Sequence, residues 1–135
     1  MKDISKDKTI IICAPLTGNV KEVKENIERA SQVAFYFWKK GNFVLCPHLN
    51  SGRFFGLLDE EIVKNGYKTL IRELAPSKKA ILVVLPNYIG SKGCGEEIVI
   101  ALRAHMEIRF LSSESLEEIE KIEKGDREWI TSQNF

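Results

Sequence analysis

The sequence predicts a single α/β domain built on a parallel sheet, and three observations carry that reading. Apolar, β-branched runs without polar alternation recur at Thr9–Cys13 and over residues 43–46 and 80–85, the pattern of strands buried on both faces. Between them lie two stretches with apolar residues every three or four positions, the period of an amphipathic helix. Strand, long helix and strand in succession make right-handed crossovers, so the strands are expected to run parallel.

Taken in order, residues 1–8 read as a short solvated lead-in to the first strand. Pro15 then breaks the ladder, and Gly18 and Asn19 tolerate positive φ. A helix follows over residues 20–40, with Val20, Val23, Ile27, Ala30, Ala34 and Trp38 on one stripe. Asn19 and Glu22 have the spacing of a capping box, and Gly41 sits where helices end. After the second strand, residues 47–56 read as a loop of unusual composition, and residues 59–74 as a second helix. Gly66 interrupts that helix at a cost of about 1 kcal/mol against alanine, which close packing would explain.

The third strand leads to a glycine-rich turn at residues 90–95 and a helix reaching about His105. A fourth strand is expected at residues 108–111. An acidic helix over residues 115–124 should turn Leu116, Ile119 and Ile122 inward. Gly125 is expected to end it, and residues 128–131 to add a fifth edge strand.

Composition narrows the function. A chain of 135 residues, 44% hydrophobic and 29% charged, suits one soluble domain with a real core. Twenty basic residues against nineteen acidic ones leave no charge excess to draw nucleic acid or an anionic membrane, so neither is expected as a partner. The longest apolar run is too short to span a bilayer, and the N-terminal residues do not read as a signal segment. Cys13, Cys46 and Cys94 form no paired motif, so no metal site, disulfide framework or cofactor is expected, and the expected compartment is a reducing cytoplasm.

If the first three strands are parallel, the loops at residues 15–19, 47–56 and 86–95 converge at one end of the sheet, where such folds bind ligands. Their polar residues are Thr17, Asn19, His48, Asn50, Ser51, Arg53, Asn87, Tyr88, Ser91, Lys92, Glu96 and Glu97. Hydroxyl, amide, carboxylate and aromatic groups together suit a sugar or nucleoside. Plainer readings stand beside these. Glu96 and Glu97 in a first helical turn would favour the macrodipole, Gly93 and Gly95 would simply form the turn, and His48 would bond backbone. Neither a Walker pattern nor G-x-G-x-x-G occurs. Cys94 beside a helix start would have a lowered pKa but has no matched base in the sequence.

Three segments carry a family resemblance: Thr9 to Gly18 before a long helix, Leu45-Cys46-Pro47-His48-Leu49, and Ser91-Lys92-Gly93-Cys94-Gly95-Glu96-Glu97-Ile98. Over roughly residues 9–111 the chain resembles the nucleoside 2-deoxyribosyltransferase-like superfamily, and more closely its small DUF4406-type bacterial and phage domains. Counting along Ser-x-Gly-x-x-x-Glu, the family glutamate that attacks the anomeric carbon matches Glu97, not Glu96. The resemblance implies Pro15, Thr17, Gly18, His48, Asn50, Asn87, Ser91, Gly93 and Gly95 as substrate-binding residues. It also implies a homo-oligomer, for which Phe35, Phe37, Phe54 and Phe55 could supply an apolar surface. Where the transferases carry an acid at the start of strand three, this chain reads Lys78-Lys79-Ala80, with Asp59 or His48 as conceivable substitutes.

The resulting expectation is a Rossmann-like (flavodoxin-like) three-layer sandwich of about five parallel strands in order 2-1-3-4-5. Its expected function is cleavage or exchange of an N-glycosidic bond in a nucleoside or nucleotide, with Glu97 as nucleophile. The alternatives are a non-catalytic pocket that binds or sequesters a nucleotide-derived ligand, and a protein-interaction module using the acidic helix.

Overall fold

The computed structural model describes residues 4–16, 18–51, 54 and 57–132, with residues 123–132 described by backbone alone. Four parallel strands form one sheet: β1 (Thr9–Cys13), β2 (Phe43–Leu45), β3 (Ala80–Val84) and β4 (Glu107–Phe110), in spatial order β2-β1-β3-β4. The register pairs Ile10 with Val44 on one side and with Ile81 on the other, and Leu82 with Ile108. The helices are α1 (Val20–Lys39), α2 (Pro47–Ser51), α3 (Glu60–Leu74), α4 (Lys92–Arg103) and α5 (Ser113–Ser132), with 3₁₀ turns at Ala75–Ser77 and Pro86–Tyr88.

Successive residues of β1 and β3 point to opposite faces, and both faces are covered. Ile10, Ile12, Ile81 and Val83 pack with Ala30, Val33, Ala34 and Phe37 of α1 and Ile119 of α5. Ile11, Cys13, Leu82 and Val84 pack with Ile71 of α3 and with Cys94 and Ala101 of α4. This two-sided burial is why the strands carry unbroken apolar runs.

The expected fifth strand is absent: residues 128–131 continue α5, and Gly125 lies within that helix. A lone glycine costs about 1 kcal/mol inside a helix, and continuing a formed helix avoids a new nucleation step. The sheet order nevertheless follows the first four places of the expected one.

Helix α1 begins as its sequence signals. Asn19 Oδ1 accepts from the Glu22 N–H at 2.9 Å, and Glu22 Oε1 accepts from the Asn19 N–H at 3.3 Å. Its buried stripe is rotated from the expected one. Val23, Ala30, Val33, Ala34 and Phe37 face inward, while Val20 and Trp38 are exposed, Trp38 meeting Phe43 edge to face. The same correction applies at Ile122 of α5, which is exposed, as is Ile62 of α3. Gly66 is not a close-packing position, since a Cβ there would meet nothing within 4 Å.

The lead-in is not merely solvated. Ile4 is buried in the core, and the buried Asn42 donates from Nδ2 to the carbonyls of Ser5 at 2.9 Å and Lys8 at 3.0 Å. That amide ties the segment before β1 to the turn between α1 and β2.

Candidate functional site

The ends of β1, β2 and β3 open onto a cavity of about 330 Å³, a volume at the lower end of the range for small-molecule sites. Ala14 and Leu16 follow β1, and Pro47, His48 and Ser51 come from α2. Glu60, Val63, Lys64 and Tyr67 project from α3, and Ser91, Lys92, Gly93, Cys94 and Glu97 from the start of α4. Phe54 and Leu58 complete the lining.

Pro47 starts α2 directly after β2, and the next residue, His48, is buried. Its Nε2 lies 2.7 Å from the Pro15 carbonyl oxygen. A carbonyl only accepts, so Nε2 holds the proton and Nδ1 keeps its lone pair, with no hydrogen-bond partner among the described residues. Burial lowers the pKa of the imidazole against the opposing Pro15 bond, which keeps the ring neutral at pH 7.

A polar knot joins α2 to α3. Tyr67 Oη lies 2.8 Å from Ser51 Oγ, donates to the Pro47 carbonyl at 3.3 Å and receives a bond from Asn50 Nδ2 at 3.2 Å. Its partners come from one turn of α2, so Tyr67 has one place to sit.

Ser91 is the N-cap of α4, its Oγ accepting from the Cys94 N–H at 3.3 Å. The helix therefore starts at Lys92, one turn earlier than the glycines suggest, and Gly93, Cys94 and Gly95 lie inside it. Glu96 and Glu97 fall in its second turn, beyond the reach of a first-turn macrodipole role.

The two glutamates part company there. Glu96 lies 2.6 Å from Lys68 Nζ and 4.0 Å from Lys92 Nζ, and the Lys68 hydrogen bond holds its carboxyl below the ordinary carboxylate range. Glu97 is mostly buried and lines the cavity. Burial pushes its pKa up to about 7, against a hydrogen bond from the Cys13 thiol and the charge of Lys68, with Glu96 pushing upward. The Cys13 thiol is raised far above its usual value by its hydrogen bond to Cys94, by burial and by the Glu97 charge.

Of the residues implied as substrate-binding, His48, Ser91 and Gly93 share the cavity with Glu97. Pro15 contributes its carbonyl to His48, and Asn50 acts through Tyr67. Asn87 is exposed and reaches Asn26 at 3.5 Å. Gly18 and Gly95 are exposed and outside the lining. Thr17, like Arg53 and Phe55, lies outside the described residues. Phe37 is fully buried and cannot form an external surface, whereas Phe54 is exposed.

Asp59 caps α3 through the Glu61 N–H at 2.9 Å and does not line the cavity; its neighbour Glu60 does. Lys78 and Lys79 precede β3, at the opposite edge of the sheet from the cavity, so they do not stand where a reacting acid would be needed. The loop-based expectation missed the face of α3. Glu60, Val63, Lys64 and Tyr67 recur at the helical period, and that spacing was the available signal. Among the described residues no cluster of three histidine, cysteine or carboxylate side chains could hold a metal.

Fold and site together define a parallel α/β domain with a ligand-sized cavity at the carboxyl edge of its sheet. The chain belongs to a family described as a domain of unknown function, DUF7768, whose model matches residues 8–111. That span runs from the residue before β1 to the residue after β4 and includes every residue lining the cavity. No curated protein and no solved structure matches the chain.

Proposed function

We propose that this domain is a Rossmann-like enzyme acting on the N-glycosidic bond of a nucleoside or nucleotide, with Glu97 as nucleophile. The observation that carries the reading is the division of labour in the Glu96–Glu97 pair. Glu96 is neutralised by Lys68, while Glu97 stands in the cavity wall without a direct lysine partner among the described ion pairs and titrates near neutrality.

In this reading the ionised Glu97 attacks the anomeric carbon as the bond to the base breaks, and the bond's electron pair leaves with the base. Water, or a second base in a transferase, then displaces the carboxylate. The leaving base needs a proton, which solvent entering the cavity past the exposed Glu60 can supply. His48 is not that donor, since its one N–H is engaged by Pro15. Phe54, Leu58 and Val63 offer apolar surface for a planar base, while His48, Ser51, Tyr67 and Ser91 form the polar side that sugar hydroxyls require.

The test is incubation with a panel of deoxynucleosides and deoxynucleotides, followed by chromatography for free base. Release by the unaltered chain, loss in Glu97→Gln and retention in Glu96→Gln is the expected pattern. Thermal stabilisation by a panel member with no base released would replace the enzyme with a binding protein.

A further inference from the structure

Beside the cavity two cysteines come together where β1 meets α4, and the reaction above does not consume either. Cys13 ends β1 and is fully buried, and its Sγ donates to the Cys94 carbonyl oxygen at 3.9 Å. Both side chains belong to the same buried cluster on this face of the sheet. Cys94 lies in the first turn of α4 and lines the cavity, so a small solute in the cavity reaches it first. Cys46 packs on the other face of the sheet. We propose that Cys13 and Cys94 form an oxidation site, which a hydroperoxide entering the cavity converts to a disulfide between β1 and α4.

The chemistry divides between the two residues. Cys94, near a helix N-terminus, is the attacking thiolate, a role favoured by the neighbouring Cys13 and Ser91, which lower its pKa against burial and the Glu97 charge. Its sulfur bonds to one peroxide oxygen, the O–O bond breaks, and the other oxygen leaves as hydroxide, taking up the Cys94 proton to become water. Cys94 is then a sulfenic acid. The Cys13 sulfur attacks it, the S–S bond forms and the S–O bond breaks. Hydroxide leaves with the Cys13 proton as a second water. Two thiols lose two electrons and one peroxide gains them, and a dithiol reverses the step by exchange. The two side chains must then approach to an S–S length of about 2.0 Å.

The consequence reaches Glu97, and this part rests on the proposed function. The Cys13 thiol beside Glu97 favours the ionised carboxylate, so a disulfide removes that support. The other groups around Glu97 are Lys68 of α3 and Glu96 of α4, with His48, Glu60 and Lys64 in the same cavity, and none of them is altered by the oxidation. If Glu97 then holds its proton about tenfold more tightly, its ionised fraction at pH 7 drops about fivefold, and base release drops with it.

The experiment treats the full chain with hydrogen peroxide, alkylates the remaining thiols under denaturing conditions and maps the peptides. The expected result is a Cys13–Cys94 cross-link within one chain, alkylated Cys46, and reversal by dithiothreitol. Cys46→Ser should give the same cross-link. Alkylation of all three cysteines, a cross-link through Cys46, or Cys94 oxidised to sulfinic acid without a cross-link would overturn the site. Base release measured on reduced and oxidised samples separates the two claims. A cross-link in a chain that releases no base removes the enzymatic reading and leaves the oxidation site standing. Base release without a cross-link does the reverse.

Discussion

A carboxyl group that titrates near neutrality leaves two separable traces. In the proposed role of nucleophile Glu97 must be ionised, so base release should rise with pH through about 7. Stability should move the other way. The pKa of Glu97 is raised in the folded protein, from 4.5 to about 7, so between those values the fold holds a proton that the unfolded chain has released. The stabilisation from that proton is complete below about 4.5 and is lost as pH rises through about 7, by on the order of 3 kcal/mol. Melting curves from pH 5 to 8 should therefore fall more steeply for the unaltered chain than for Glu97→Gln. The same substitution should cut base release on the order of a thousandfold or more, whereas Glu96→Gln should not. Part of the cavity lining was legible in the residues: the family resemblance along Ser91-x-Gly93-x-x-x-Glu97 points to Glu97, and all three residues line the cavity. Cys13 was not, because its role depends on α4 crossing the end of β1, and no local pattern encodes that crossing.

Two helix positions show where local signals mislead. Gly66 looked like a packing requirement, yet open space surrounds it. Gly66→Ala should stabilise the protein by about 1 kcal/mol, read as a raised denaturant midpoint with unchanged slope. His105, about where the sequence ends the helix, adopts φ 59° just past α4. There the Met106 N–H bonds to the Ala101 carbonyl and the His105 N–H to that of Leu102, a Schellman ending. His105→Gly should gain about 1 kcal/mol because the left-handed region is costly for a residue with a Cβ. The start of α4 was hidden for a related reason. Gly-Cys-Gly reads as a turn by composition, but the Ser91 cap draws it into the helix. The capping box of α1 was legible because both its members lie within four residues.

At the scale of the molecule, β1 and β3 could be read because strands buried on both faces admit only apolar side chains, whereas the outer strands β2 and β4 are partly exposed. The missing fifth strand could not, since a short stretch after a glycine is compatible with either helix or strand, and continuity with α5 decides it. How the chain enters the sheet was equally hidden, because Asn42 acts on carbonyls more than thirty residues away in sequence. Asn42→Ala should leave the Ser5 and Lys8 carbonyls without that donor and cost about 1–3 kcal/mol, measured by chemical denaturation. An exopeptidase working inward along this segment would meet Ile4 wedged in the core, with the clamped Ser5 and Lys8 close behind. Trimming along this segment should then stall at Ile4 while the fold is intact, held there by the same amide that seats β1.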